Sequence, residues 1–379
     1  MNLPNYRVRT LRTWKPSQNK SRLESINSKN ELISLLDLAS NDYLGLSSHP
    51  AILDAAFKTM RDEGIGSGGS RLLTGSRPIH QKLENAISDW ISREHVLLFP
   101  SGFQANIAAV QTLADRHTTV FADKYIHNSL LVGVQASRAK LKRYSHNNLI
   151  ELENYLRNSF QLSPGKSLLV ITESLFSMEG TSPDIKAIAA LCQKYNAKLL
   201  VDEAHSLGVL GDGGRGLCFG INESISIICG TFGKAFGSGG AFLASNNKIG
   251  NELIQTSGAF KYTTAIAPPL CAASLASLEL IKENPKWMNE LITNSFKWRK
   301  ELASAGWITT EGNGPIIPLI VGKDQKALEI QEILEQEGFL CSAIRPPTVK
   351  EGTARMRIVI RLGLPSNTLP NFIHALNKS

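Results

Sequence analysis

Ala197-Lys-Leu-Leu-Val-Asp202-Glu-Ala-His205-Ser-Leu-Gly208 reads as a strand without polar alternation that ends in an acid and then turns through a histidine. Alternating polarity marks a strand wet on one face, whereas an unbroken apolar run marks one buried on both. A strand of that kind belongs to a mostly parallel sheet with helices on both sides. Open sheets of this class present ligands at the carboxyl ends of their strands, and Asp202 stands at that end. Two readings stay open here: Asp202 caps the next element, or it faces a ligand.

The flanking sequence repeats the pattern. Short β-rich runs at 95–99, 119–122, 140–144, 167–172, 225–229 and 240–244 join the one at 198–201. Segments of helical period separate them, at 104–113, 149–158 and 185–195, and the alternation predicts an α/β fold. Pro268-Pro269 punctuates the chain before a helical stretch at 270–283, charged helices, and strands at 316–321 and 357–361. The expected organisation is an N-terminal segment (1–45), a large domain (46–265) and a smaller C-terminal α/β domain (266–379).

After the run at 225–229 comes Gly230-Thr231-Phe232-Gly233-Lys234-Ala-Phe-Gly237-Ser-Gly239-Gly240. A lysine set among glycines and phenylalanines is expected to be shielded from water. Shielding favours the uncharged amine, the form that attacks an aldehyde, while a solvated loop lysine is the plainer alternative. Leu98-Phe-Pro-Ser101-Gly102-Phe103-Gln104-Ala105-Asn106 runs from a strand into a helix. Its Ser-Gly turn either caps that helix or aims its first N–H groups at a phosphate. An aldehyde-binding lysine, a strand-end acid for a pyridine nitrogen and a phosphate-binding helix start together describe a pyridoxal 5'-phosphate site.

Composition narrows the alternatives. The 379 residues are 42% hydrophobic and 20% charged, as in a globular protein, and no apolar run is long enough to span a membrane. The net charge is +8, of which residues 1–29 supply +6 through Arg7, Arg9, Arg12, Lys15, Lys20, Arg22 and Lys29 against Glu24. The remainder is nearly neutral, so neither nucleic acid nor membrane is an expected partner. Five scattered cysteines argue for free thiols, a reducing compartment and a cytoplasmic location, and the histidines show no metal-ligand spacing. Gly64-Ile-Gly66-Ser-Gly-Gly69 follows a helical stretch rather than a strand, which excludes a dinucleotide fingerprint. Asp202-Glu-Ala-His205 spells a helicase motif, but the chain has no P-loop to accompany it.

Asn41-Asp-Tyr-Leu-Gly45, the glycine run at 64–70, the block at 99–106, Phe176-Ser-Met-Glu-Gly180 and the two stretches around Asp202 and Lys234 occur in one order along the chain. In that order the sequence resembles the α-oxoamine synthases, pyridoxal-phosphate enzymes of the aspartate-aminotransferase fold (fold type I), over nearly its whole length. Ala343-Ile-Arg345-Pro-Pro-Thr348-Val-Lys-Glu-Gly-Thr353-Ala-Arg355-Met-Arg357 is similar to one branch in particular. That branch joins L-alanine to a pimeloyl thioester, carried on coenzyme A or acyl carrier protein, in biotin biosynthesis. A glycine C-acetyltransferase is the nearest alternative, a more distant aminotransferase the next, and an inactive binding relative the last.

The resemblance implies roles residue by residue. Lys234 binds the cofactor and then serves as acid and base; Asp202 pairs with the ring nitrogen, His205 reaches the ring hydroxyl and His127 stacks on the ring. Gly102, Phe103, Ser177 and Thr231 surround the cofactor, and Thr264 offers its hydroxyl to the phosphate of a second subunit in a homodimer with shared sites. Asn41 and Arg357 hold the amino-acid carboxylate, while Arg12 and Thr348 contact the acyl substrate. After Arg357 the chain reads Ile-Val-Ile-Arg361-Leu-Gly-Leu-Pro365 where relatives more often carry a Thr-, Ala- and His-containing run, so Arg361 receives no role.

Overall fold

A computed structural model describes residues 4–19, 21–27, 30–162, 165–221 and 224–378, so Lys20 and Lys29 lie outside it. The chain forms two compact units. The larger comprises residues 46–176 and 182–288; the smaller comprises 1–45, 177–181 and 289–379.

The larger unit is built on a seven-stranded sheet. Its order is His95–Phe99, Ala241–Ser245, Ile227–Thr231, Lys198–Asp202, Leu168–Glu173, Thr119–Asp123, Lys140–Tyr144. All seven expected strands are present. Five are linked by parallel pairings, and Ala241–Ser245 runs antiparallel to both of its neighbours. The interior strands are buried along their length, which is why they read as unbroken apolar runs. The run expected at 225–229 begins its ladder two residues later, because buried Ile225 precedes the first paired residue, Ile227. Gly230 is required inside that strand: a Cβ there would fall 2.3 Å from the Phe242 ring and 2.6 Å from Leu207.

Helix Pro268–Glu283 packs against helices Pro50–Glu63 and Pro78–Ile91. That packing keeps it in the larger unit, so the division falls after Met288 rather than near Pro268-Pro269. The proline pair instead starts the helix, where a missing N–H costs nothing.

In the smaller unit, strand Leu32–Asp37 pairs antiparallel with Arg22–Ile26 and parallel with Phe339–Leu340. A second, antiparallel sheet runs Ile316–Gly322, Ala354–Val359, Ser342–Ile344. The C-terminal strand therefore lies at Ala354–Val359, not at 357–361: Ile360 and Arg361 remain buried but leave the ladder, and Arg361 turns its guanidinium to Asp37 and Asp42.

Candidate active site

Three parallel strands deliver acids to the same edge of the larger sheet, ending at Asp123, Glu173 and Asp202, and a fourth ends at Thr231. Asp202 is buried there. Its Oδ1 accepts the Ala204 N–H at 2.9 Å, and its Oδ2 accepts the Asn106 Nδ2 at 2.7 Å. The same Asn106 amide donates to Ser129 Oγ at 2.9 Å, and Ser129 Oγ lies 2.7 Å from His127 Nδ1. Ser129 N–H also points at His127 Nδ1, at 3.3 Å. An Nδ1 that accepts leaves the imidazole proton on Nε2. One directed chain of hydrogen bonds thus fixes both the acid and the ring.

His127 is held from a third direction, since its backbone N–H donates to Glu173 Oε1 at 2.5 Å. Burial holds its basicity below that of an ordinary histidine, and the Lys234 charge pushes the same way while Asp202 opposes both. His127 is therefore uncharged at neutral pH. Phe103 packs edge-on against it, with ring centroids 6.5 Å apart.

Ser101 does cap its helix, Gly102–Leu113, by accepting the Gln104 N–H at 3.3 Å. The first intrahelical bond is Ala105 N–H to the Ser101 carbonyl, so the amides of Gly102 and Phe103 stand ahead of the ladder. A Cβ on Gly102 would sit 3.9 Å from the Thr231 side chain, which brings these two residues side by side. Lys234 follows in the turn after the Ile227–Thr231 strand. It is half-buried rather than fully shielded, between the wholly buried rings of Phe232 and Phe236. The turn is closed by Gly237 N–H to the Lys234 carbonyl at 2.9 Å, and Gly237 has φ +60°. A Cβ at Gly237 would lie 2.3 Å from Ser47 N, so only glycine fits. His205 is buried on the turn that follows Asp202, and Thr264 is exposed on the loop before helix Pro268–Glu283.

The remaining expected residues lie in the smaller unit. Arg357 is buried; its Nε donates to the Ser177 carbonyl at 2.7 Å and its Nη2 to Asn41 Oδ1 at 2.9 Å. Burial pulls its guanidinium below the ordinary value, opposed by Tyr43 and Glu179. Arg12 is engaged by Glu335, at 2.6 and 3.0 Å, and lies over the Trp14 ring. Thr348 receives its side-chain hydrogen bond from Arg9, at 3.2 Å.

Sequence reading missed Asn106, Ser129 and Glu173 as supports of the site. Asn106 closed a quoted block, but nothing local told that its amide reaches an acid 96 residues away. Glu203 was also missed. Its carboxyl is wholly buried, with Oε1 accepting the Leu217 and Cys218 amides at 2.9 and 3.0 Å. Burial pushes this carboxyl up to about 7 despite those donors.

Residues 33–376 match the aminotransferase class I and II family. The chain belongs to that family. An 8-amino-7-oxononanoate synthase of Methylococcus capsulatus is 39% identical over 344 residues, 90% of this chain and 88% of the relative. Among solved structures, serine palmitoyltransferase of S. paucimobilis superposes with TM-score 0.91 over 97% of this chain and 92% of its own, at 24% identity, and shows the fold. The 8-amino-7-oxononanoate synthase of Francisella tularensis superposes with TM-score 0.79 over 91% and 97%, at 28% identity. The chain is a pyridoxal-phosphate-dependent acyltransferase of the α-oxoamine synthase type.

The larger unit fits that cofactor on its own geometry. An acid fixed by two donors keeps lone pairs for a ring nitrogen, the Gly102 and Phe103 amides stand ahead of their helix's ladder, and an uncharged imidazole is braced beside Phe103. Among the described residues, no helix is long and apolar enough to cross a membrane.

Proposed function

We propose that this enzyme condenses L-alanine with a pimeloyl thioester to give 8-amino-7-oxononanoate, carbon dioxide and free thiol, in the cytoplasm, for biotin biosynthesis. The observation that carries the reading is the product named for relatives that share nine-tenths of the chain's length. That product dictates its precursors. Its oxo carbon is the carbonyl of a seven-carbon acyl group with a far carboxylate. The carbon bearing the amine and the terminal methyl are what alanine retains after losing its carboxylate.

Bound pyridoxal phosphate supplies an aldehyde for amines and a ring that accepts the electron pair of a Cα carbanion. The protein's residues do the rest. Lys234 would hold the cofactor through Nζ, and Nζ, once released, would take the Cα proton of alanine. Asp202 keeps the ring nitrogen protonated, so the electron pair has somewhere to go. His127 would stack on the ring, and its neutral state would avoid a second cation beside a protonated ring nitrogen. His205 takes the ring hydroxyl, and Gly102, Phe103 and Thr231 receive the phosphate end. Ser177 completes this set, while Arg357 and Asn41 bind the alanine carboxylate, the arginine by two parallel N–H donors. Arg12 and Thr348 contact the acyl substrate.

The protein works as a homodimer. The loops at 64–75 and 262–267 are tied by Ala265 N–H to Gly69 O at 2.9 Å and Ser67 Oγ to Ile266 O at 2.7 Å. They expose Leu73 (80%) and Tyr262 (84%), apolar surface that a second copy would cover, and Thr264 stands beside Tyr262 to reach the partner's phosphate.

The test is a product assay on purified holoenzyme with alanine, glycine or serine, offered pimeloyl-CoA and pimeloyl-acyl carrier protein in parallel. A nine-carbon amino-oxo acid from alanine, with matched thiol release, is expected. Preference for glycine or serine, or amino transfer without thiol release, would sink the reading.

A further inference from the structure

Arg361, to which the family resemblance assigns no role, is buried in the smaller unit and commits all three of its nitrogens to one loop. Its Nε donates to the Asp42 carbonyl at 2.9 Å, its Nη2 to the Asp42 carboxylate at 3.2 Å, and its Nη1 to Asp37 Oδ2. Asp37 in turn accepts the Ala39 and Ser40 amides on Oδ1, at 3.0 and 2.9 Å, and the Ser40 hydroxyl on Oδ2, at 2.6 Å. Asn41 therefore sits between two anchored neighbours, Ser40 held by Asp37 and Asp42 held by Arg361. Its own side chain is already oriented. Oδ1 accepts Arg357 Nη2 at 2.9 Å, which leaves Nδ2 as the donor for a carboxylate. The segment that carries Arg357 and Arg361 also meets the loop by Val359 N–H to Leu38 O and Leu362 N–H to Tyr43 O, both at 2.9 Å. Neither of those bonds touches Asn41 or its two neighbours. Of the buried arginines at 355, 357 and 361, the first pairs with Glu179 and the last with Asp37 and Asp42. Each of these acids is thus committed away from Arg357.

We propose that Arg361 is a positioning residue for the amino-acid substrate: through Asp37 and Asp42 it fixes Asn41 against Arg357, so that both meet the substrate carboxylate together. The inference rests on the reading that Asn41 and Arg357 take that carboxylate, and it names the group that sets their geometry. Arg361 acts through the loop and not on the substrate. A planar guanidinium gives three bonds in fixed directions, to a carbonyl and two carboxylates at once, which a flexible ammonium does not reproduce. Without that fork the loop keeps its two backbone bonds to the segment, but Asn41 loses the anchor on one side and a braced anchor on the other.

The experiment titrates holoenzyme, without thioester, with L-alanine and with ethylamine, the same amine lacking the carboxylate. Each Kd is read from the absorbance change of the bound cofactor, so turnover is not needed. The wild type should prefer alanine, and in Arg361→Gln the ratio of the two Kd values should move against alanine by about tenfold. Because glutamine strips Asp37 and Asp42 of their cation, Arg361→Lys is measured beside it. The lysine keeps the charge, should melt near the wild type, and should still cut the preference for alanine, since it lacks the fork. Structural damage alone would weaken both amines equally, and that result would overturn the assignment. An unchanged ratio in the folded variants would overturn it too, while leaving the carboxylate to Asn41 and Arg357. A wild type with no preference for alanine would bring down the inference and the carboxylate reading together.

Discussion

The sheet edge of the larger unit that carries Asp202 and the arginine clusters of the smaller unit solve the same problem, fixing buried polar groups, by different means. At the sheet edge the groups sit where parallel strands end, and each takes one hold from its own turn and another from a more distant element of the same unit. Asp202 takes a donor from its own turn, and His127 is braced by Ser129 two residues on. In the smaller unit the bonds join the two ends of the chain: Arg357 to Asn41, Arg361 to Asp37 and Asp42, Arg345 to Tyr6. The first design gives each group a local hold beside the distant one. The second ties unit stability to a few long-range charged bonds.

Lys234→Ala cuts deepest at the edge. Turnover should drop by at least roughly a hundredfold to ten-thousandfold, and borohydride should no longer fix cofactor to the protein, while thermal unfolding stays near that of the wild type. Retained turnover would remove Lys234 from the reaction. Arg361→Leu tests the opposite region. It leaves buried Asp37 without its cation and should cost about 3–5 kcal/mol in denaturant unfolding. A loss under 1 kcal/mol would mean that the long-range bonds are not what holds the smaller unit.

Asn106→Leu should be milder, removing one donor each from Asp202 and Ser129. The expected cost is about 1–3 kcal/mol in cofactor affinity, read by spectrophotometric titration, with little change in folding. If affinity is unmoved, Asp202 does not need the chain that runs to His127. Glu203→Gln should have the smallest effect, and only on pH dependence. The folded protein keeps a proton on Glu203 up to about 7, whereas the unfolded chain releases it near 4.5. Between those values the folded state binds more protons, so stability falls as pH rises and levels off above about 7. The glutamine variant should show a flatter melting temperature across that window; an unchanged slope would assign the slope elsewhere.

Legibility in the sequence follows the same division. The strand around Asp202, the glycine turn at Lys234 and the Ser101-Gly102 helix start could all be read, because each is a local pattern with a local cause. Arg361 could not. Its apolar neighbours resemble a strand, and only Asp37 and Asp42, more than 300 residues earlier, explain why the ladder stops at Val359. Arg12 matched a short motif, yet the pairing with Glu335 that answers its charge is 323 residues distant.

By itself the sequence determined the α/β class, the seven strands of the main sheet and the edge to which Asp202 and Lys234 belong, since periodicity and glycine placement act over a few residues. Only the tertiary structure decided which donors hold Asp202, that helix Pro268–Glu283 stays with the larger unit, and that Arg361 turns to Asp37 and Asp42. Those outcomes depend on pairing between side chains far apart in the chain, which no local pattern encodes.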